Sequence, residues 1–303
     1  MVGAERSENG LHPHMLEAIE DSGSDNVYGK IPDERPMLVS ARSSGFDPDK
    51  YSVTEVNPEL FVVVDSSFQA QFNSTKLMMK YLFIEFNVVN IRYLTVRNPR
   101  IKLIFRGVEL SDYRQEAQYY TYLSSSAEID ALDSLYKIVK FVGANNETYG
   151  AYDMVYFLTG CDMVAIQGGR RESSLSGYAF VASACTHHRQ QLGEDTAYSY
   201  RGIRIMAHEV GHTLGCPHDG TSIDGYVKAF RPDSTGCPWE QGYIMSYIEE
   251  DGRSMQFSSC CNYMVSQMTW SREAACLHRN DSTTKKGFKW PKVVPLPGDI
   301  LSL

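Results

Sequence analysis

The sequence predicts an α/β fold built on a doubly wound, mostly parallel sheet. Apolar runs rich in β-branched residues alternate with segments whose apolar residues recur at helical spacing, and this strand–helix rhythm is typical of such sheets. A chain of 303 residues with 43% hydrophobic and 12% aromatic residues can fill the core of one large domain. We therefore expect a single α/β domain with additional segments at its ends.

The first elements of this fold follow one another in chain order. The predicted elements are strands at 60–64, 102–105 and 154–158, with helices at 74–90 and 125–142 between them. The first strand is a continuous apolar run, as in a strand buried on both faces of a parallel sheet. Ser125 or Ser126 is expected to cap the second helix, with Glu128 behind the cap.

Three later elements complete the predicted domain. Residues 177–184 alternate in the manner of an exposed edge strand, although an ordinary core strand fits the same residues equally well. A helix over 196–214 is expected to pack Met206 and Val210 against the sheet. The chain then enters a small, loop-rich subdomain, which a helix over 262–277 closes.

Composition excludes several classes of protein. The formal charge of −8 and the pI of about 5.5 argue against a nucleic-acid binder, and no apolar run approaches the ~20 residues that span a bilayer. Three N-glycosylation sequons begin at Asn73, Asn146 and Asn280, and together with the cysteines they favour secretion. Because the first residues lack the pattern of a signal peptide, we expect Met1 to begin a fragment or a processed form.

One short stretch contains the most chemically specific pattern in the chain. Residues four apart lie on one face of a helix, so His208 and His212 can bind one metal ion together. Gly215 can adopt a left-handed conformation that ends the helix, and the chain can then bring His218 in as a third ligand. Three protein ligands leave the fourth position of a tetrahedral zinc site open for water, from which Glu209 can accept a proton. The pattern predicts a zinc hydrolase, whereas a bare pair of helical histidines is also compatible with polar surface groups.

With the glycine and the third histidine in place, this stretch resembles that of the metzincin metalloproteases. Asp219, directly after the third histidine, makes it most similar to the adamalysin (reprolysin) branch. Residues 242–247 resemble the Met-turn, in which Met245 would form an apolar floor beneath the zinc; the alternative is an ordinary core methionine. Over about residues 57–280 the sequence is most similar to salivary metalloproteases of ticks.

The resemblance also implies how a substrate binds and which other residues take part. It implies that the strand at 177–184 runs antiparallel at the edge of the cleft, where an extended peptide can add through main-chain hydrogen bonds. Tyr247 stands two residues after the Met-turn methionine, as a zinc-side tyrosine does in the astacin and serralysin branches; a tyrosine packed in the lower subdomain is the alternative. Asp219 is expected to hold the loop geometry through hydrogen bonds.

The resemblance implies a calcium ion opposite the active site. Glu59 and Asp153 fall where its acidic ligands would be, and the carbonyl of Cys276 would complete part of the shell. The pattern departs from the family at the next ligand, because Arg279 occupies the place of the expected asparagine and Asn280 comes one residue late. The alternative is that both acids are only solvated charges at strand ends.

The seven cysteines all lie in the latter half of the chain. Their connectivity cannot be deduced from sequence alone. The resemblance implies that Cys185 pairs with Cys276. For the others we expect Cys237–Cys260 and Cys216–Cys261, with Cys161 left as a buried free thiol; a metal cluster is disfavoured because no C-x-x-C pair exists.

Taken together, the sequence predicts a secreted zinc endopeptidase, acting as a monomer on an extended protein or peptide. The expected organisation is a propeptide remnant or flexible tail over 1–56, a catalytic domain over 57–280 that divides at about 215, and a tail over 281–303. Family resemblance implies fibrinogen, fibrin or matrix proteins as substrates. The alternatives are a catalytically idle, zinc-containing binding module and a latent enzyme whose cleft residues 1–50 cover; those residues contain no cysteine for a cysteine-switch latch.

Overall fold

The computed structural model describes residues 53–125, 127–167, 170–223, 230–292 and 294. Its strands are β1 Glu55–Val56, β2 Glu59–Val64, β3 Arg100–Ile101, β4 Ile104–Leu110, β5 Glu128–Asp130, β6 Met154–Thr159, β7 Asp162–Gln167, β8 Arg170–Leu175, β9 Gly177–Ala179 and β10 Gln190–Glu194. Its helices are α1 Ser66–Gln69, α2 Thr75–Tyr93, α3 Tyr113–Glu116, α4 Ala131–Ala144, α5 Asn146–Tyr149, α6 Gly202–Thr213 and α7 Ser259–Thr269. Short 3-10 helices lie at Trp239–Gln241, Gly252–Met255 and Arg272–His278.

A five-stranded sheet organises the domain, in the order β4-β2-β6-β10-β9. The first four strands are parallel and β9 runs antiparallel to β10 at one edge. Every residue of β2 and β6 is buried, as the continuous apolar run of the first strand predicts. The predicted α/β architecture, with a mostly parallel sheet and an antiparallel edge strand, is confirmed.

Helices cover both faces of this sheet. On one face, alternate residues of β2 such as Val62 pack in the same cluster as Leu82 of α2 and Met206 of α6. On the other face, Phe61 joins Ile138 of α4. Helix α6, which carries His208 and His212, therefore rests on the same layer as the long helix α2, directly against β9 and β10.

The structure corrects several predicted boundaries. Helix α4 begins at Ala131 and not at 125, because residues 128–130 form a strand that pairs with β7, and the side chain of Asp130 caps the helix by accepting a hydrogen bond from Asp133 N (3.0 Å). The edge strand ends at Ala179, since Ala182 has a positive φ of 56° that breaks the extended pattern. Helix α6 begins at Gly202 instead of 196, and the closing segment divides into α7 and a 3-10 helix.

Both ends of the described chain pack against the domain. At the start, β1 pairs with β3, and Trp270 Nε1 donates to Val53 O (3.1 Å), so the ordered region begins before residue 57. Most of the predicted propeptide remnant, residues 1–52, lies outside the described residues. At the other end, residues 279–290 lie along β4, where Lys285 N donates to Arg106 O (2.8 Å). We call residues 279–290 the C-terminal strap. Residues 281–290, which the sequence predicted as part of a tail, pack against the domain.

The cysteines pair as expected. The disulfides are Cys185–Cys276, Cys216–Cys261 and Cys237–Cys260, and Cys161 is a buried thiol that takes part in none of them. The last two bonds hold the region after α6 onto α7. Each helix in the described part of the chain is too short or too polar to cross a bilayer.

Candidate metal and catalytic centre

Helix α6 carries the first two histidines of the motif on its buried side. His208 and His212 are one turn apart, and both are almost fully buried. The helix ends as predicted at Gly215, whose φ is +114°. A side chain there would also collide with α7, since a Cβ would lie 2.8 Å from the Cβ of Met268. This glycine allows the chain to turn back and place His218 beside the helix.

The three imidazoles converge through their Nε2 atoms. His218 Nε2 lies 3.1 Å from His208 Nε2 and 3.2 Å from His212 Nε2. The three potential ligand nitrogens, one from each ring, all lie within 4.8 Å of one another. The structure thus brings together the three residues that the sequence predicted as ligands.

Backbone carbonyls orient two of these rings. His208 Nδ1 lies 2.8 Å from Ile244 O, and His212 Nδ1 lies 2.7 Å from Cys216 O. Because a carbonyl only accepts, each Nδ1 carries the proton and each Nε2 presents a lone pair to the centre. Burial lowers the pKa of all three imidazoles, that of His212 to about 4, so the rings are neutral.

This arrangement fits a zinc ion. A single proton on His218 can satisfy only one of the two facing Nε2 lone pairs, so at least one lone pair remains to bind a cation. Tetrahedral zinc binds histidine nitrogen at about 2.0–2.1 Å, which separates two such nitrogens by roughly 3.3–3.4 Å. The observed separations are close to that value, and neutral imidazoles are the form that binds metal.

Glu209 follows the first ligand and is buried, with 1% of its surface exposed. Among the described groups, neither carboxylate oxygen of Glu209 has a hydrogen-bond partner. Burial raises its pKa well above the ordinary value. A buried acid without a structural partner, one residue from a ligand, has the chemistry of a proton acceptor and donor.

Asp219, which directly follows His218, is hydrogen-bonded to Met245 beneath the histidine cluster. Asp219 N donates to Met245 O (3.0 Å), and Asp219 Oδ1 accepts from the hydroxyl of Ser258 (2.6 Å), the cap of α7. Met245 is fully buried, and its sulfur packs against Gly211 of α6, between the two helical histidines. Both residues thus lie beside the histidine cluster, and the floor role of Met245 and the loop-holding role of Asp219 stay predictions.

Aromatic rings surround the third ligand. Tyr247 lies beside His218, with ring centroids 5.4 Å apart and planes at 77°. Trp239 packs edge-to-face on Tyr247 at 4.4 Å and also contacts the His218 ring at 5.8 Å. Tyr247 therefore lies next to His218 and is also packed against Trp239. Sequence reasoning missed Trp239, because a lone tryptophan on a short 3-10 helix carries no periodic signal.

Two further carboxyl groups that the sequence did not single out support the start of α6. Asp195 Oδ1 accepts from Gly202 N (2.9 Å), the first residue of the helix, and Asp195 Oδ2 accepts from the hydroxyl of Tyr81 (2.7 Å). Glu85 of α2 is fully buried beside Asp195. The sequence indicated this pair only through Glu85, an acid that lies among apolar residues in the interior of α2.

The structure does not support the predicted calcium site. Both oxygens of Glu59 are already engaged, one by the guanidinium of Arg106 and the other by Ser282 N (3.0 Å). Asp153 accepts from Glu59 N (2.9 Å), and the carbonyl of Cys276 accepts from Arg279 N (3.0 Å). The predicted ligands are thus bound to donors of the protein, and a guanidinium supplies the positive charge beside Glu59.

Comparison with known proteins identifies the family. Residues 57–258 match the profile of metallo-peptidase family M12. The chain belongs to this family. It is a reprolysin-type metzincin, as the zinc motif predicts.

Named relatives agree with this assignment. The metzincin chain is 29% identical over 265 residues to a disintegrin and metalloproteinase with thrombospondin motifs like protein of Bombyx mori, covering 82% of this chain and 36% of that protein. It is 27% identical over 271 residues to venom metalloproteinase 3 of Eulophus pennicornis, covering 83% and 61%. A venom metalloproteinase antarease-like protein of Tityus fasciolatus is 26% identical over 235 residues, covering 72% and 94%. The chain thus spans only about a third to three fifths of the first two relatives, and the tick resemblance stays a prediction.

Proposed function

We propose that this metzincin domain is a secreted, zinc-dependent endopeptidase that hydrolyses peptide bonds of extracellular proteins. The observation that carries the proposal is the convergence of three buried Nε2 atoms, with Glu209 on the same helix. Family membership supports the zinc and the reaction class. The three disulfides support an extracellular location, since such bonds persist mainly in oxidising compartments.

In this proposal the side chains divide the work. His208, His212 and His218 would hold zinc, which when bound polarises the scissile carbonyl and lowers the pKa of water. Glu209 accepts a proton from the attacking water and then returns it to the leaving amine. Met245 and Asp219 hold the ligands in place through the contacts described above, and Tyr247 flanks the third ligand, where it can face substrate.

The proposed substrate is an extended peptide held along β9. That strand is the last of the five-stranded sheet, and within the described residues its outer edge has no strand partner. Main-chain hydrogen bonds to such an edge hold a peptide with little demand on its sequence. We expect a monomeric enzyme, with fibrinogen, fibrin or matrix proteins as its substrates by family resemblance.

Replacing the proposed base tests the proposal directly. The Glu209→Ala variant is expected to fold and bind zinc but to cleave fibrinogen and gelatin at least about 100-fold more slowly, because it lacks the proposed general base. The matched control is Glu240→Ala, which removes an exposed acid from the lower subdomain. Cleavage by Glu209→Ala at the wild-type rate would contradict the mechanism. A zinc-loaded wild type that cleaves nothing would instead indicate an idle binding module.

A further inference from the structure

We propose that Gly177 is a positioning residue for Glu209. By carrying no side chain, this glycine leaves the space in which the Glu209 carboxylate lies. The inference rests on the proposed role of Glu209 as the general base. Strand β9 would then have a task in catalysis in addition to holding the substrate.

The contact between the two residues is close and specific. A Cβ built on Gly177 would lie 2.7 Å from Glu209 Cδ and 2.8 Å from its Cγ, and would also overlap Oε1. Ordinary contacts between such atoms are about 3.5–4.0 Å. Among the described residues the carboxylate has no hydrogen-bond partner, so the space above Gly177 and not a donor defines where it rests.

The register of sheet and helix explains why a glycine stands at this place. In the antiparallel pair, Gly177 is opposite Gly193, and Ala179 is opposite Gln191, whose Nε2 donates to Thr213 Oγ1 (2.7 Å). Four helical residues advance about 6 Å, and two strand residues advance nearly 7 Å. With Thr213 held beside Gln191, Glu209 one turn earlier therefore reaches the level of the Gly177–Gly193 pair.

The second glycine of this pair leaves space for two neighbours. A Cβ on Gly193 would overlap the hydroxyl of Tyr156 in β6 and would lie 2.9 Å from Cγ2 of Ile205, one turn before Glu209. All the side chains around this contact are buried. The paired glycines thus let α6 approach the sheet closely, and Gly177 is the member that meets the catalytic side chain.

A methyl group at position 177 should act on Glu209 more than on the fold. The backbone of Gly177 is not in the left-handed region, so alanine can adopt it without strain. The atoms that a methyl group would meet belong to the flexible end of one side chain, and the simplest relief is rotation of Glu209. The expected defect is therefore in turnover.

The test compares Gly177→Ala with Gly252→Ala in the full chain, using a fluorogenic peptide. Gly252 is a matched control because a Cβ there meets nothing within 4 Å. We expect kcat of Gly177→Ala to fall about 100-fold, the cost of misplacing a catalytic group by roughly 1 Å. KM should stay within about twofold, with one zinc per chain and a Tm near wild type. A crystal structure of the variant without substrate should show the Glu209 carboxylate displaced.

Several results would overturn the inference. A raised KM with unchanged kcat would mean that Gly177 serves peptide docking, and loss of zinc or a large fall in Tm would mean a purely structural role. A double-mutant cycle separates this inference from the proposed function: in the Glu209→Ala background, Gly177→Ala should have no further effect. If Glu209→Ala is inactive but Gly177→Ala turns over normally, only the positioning role fails; an active Glu209→Ala variant would refute the base itself.

Discussion

Individual side chains in this domain are held by partners distant in sequence. The ring of His208 is oriented by Ile244 O, which lies 36 residues later in the chain. Asp219 reaches both Met245 and the cap of α7. The motif of α6 is therefore sufficient to name the ligands, but the lower subdomain determines where they point.

Glu59 shows how one neighbour changes the role of a residue. Burial alone raises the pKa of this carboxyl, but hydrogen bonds from Ser282 and Arg106 outweigh burial and hold the pKa below its ordinary value. Its contribution to stability is thus present above the ordinary glutamate pKa and is lost as pH falls through the lowered pKa. A carboxylate so engaged has little need of calcium.

We therefore expect stability to depend on Arg106 and not on calcium. Arg106→Met would leave Glu59 charged and buried without a cation, at a cost of about 3–5 kcal/mol in the free energy of unfolding. Removing calcium from wild type with a selective chelator should leave Tm unchanged. Urea unfolding and calorimetry measure both effects.

The matched control is Arg100→Met, whose ion pair with Glu55 is exposed. It should cost less than about 1 kcal/mol, because solvent screens such pairs. A wild-type Tm that rises markedly with added calcium would contradict this account of Glu59.

At the scale of elements, the start of helix α6 depends on a pair of buried acids. Asp195 accepts hydrogen bonds from Gly202 N, Thr196 N and Tyr81, so it is the member that carries the negative charge. Glu85 receives no hydrogen bond from a described N–H group and contacts Asp195. Burial, together with the charge of Asp195, raises the pKa of Glu85 well above the ordinary value, and the neutral acid can donate to Asp195.

This pair predicts a pH dependence of stability. The ionisable groups that face Glu85 are Asp195, Tyr81 and Tyr200. Because the folded pKa of Glu85 is raised, its contribution is fully present below the unfolded pKa and is lost as pH rises through the folded pKa, by up to about 1.4 kcal/mol per pH unit. A glutamine at position 85 mimics the neutral acid, so Glu85→Gln should lose less stability than wild type as pH rises.

The measurement is urea unfolding of both proteins across the pH range, with exposed Glu250→Gln as the control. Other buried acids, such as Asp153 with a pKa of about 7, affect wild type and variant alike and cancel in the difference. Parallel stability curves for wild type and Glu85→Gln would contradict the assignment of a neutral Glu85.

The sequence located buried apolar elements better than polar ones. Strand β2 and helix α2 follow from their apolar patterns, and the structure has both. Strand β10 was not foreseen, because Gln190, Gln191 and Glu194 lack the apolar composition of a central strand. Gln191 is tolerated there because Thr213 satisfies its side chain, a contact that only the folded chain reveals.

At the scale of the whole molecule, covalent and ionic links bind the C-terminal region to the domain. Cys185–Cys276 closes a span of 91 residues, and the C-terminal strap that follows is anchored at Glu59 and by Trp290, which stacks near Phe86 and Phe105. The composition of the strap, rich in polar and basic residues, predicted a tail. Nothing in the local sequence indicates that Ser282 is buried against the ion pair of Glu59 and Arg106.

The candidate centre was more predictable than the fold around it. Helical spacing and one turn glycine place His208, His212 and His218 together, because the geometry of a single turn and a short return loop is local. Gly177 was visible only as part of an edge strand, since its approach to Glu209 depends on the register between β9, β10 and α6. The acids that support α6 depend on contacts between elements over 100 residues apart.

Stepwise reconstitution is the sharpest test of whether His208, His212 and His218 hold one catalytic zinc. Zinc is removed by chelation and added back while bound zinc per chain and peptide cleavage are measured on the same samples. Cleavage should return in proportion to bound zinc and reach its maximum at one ion per chain, and His218→Ala should neither retain that ion nor recover activity. Full cleavage by the zinc-free protein, or undiminished cleavage by His218→Ala, would contradict the account.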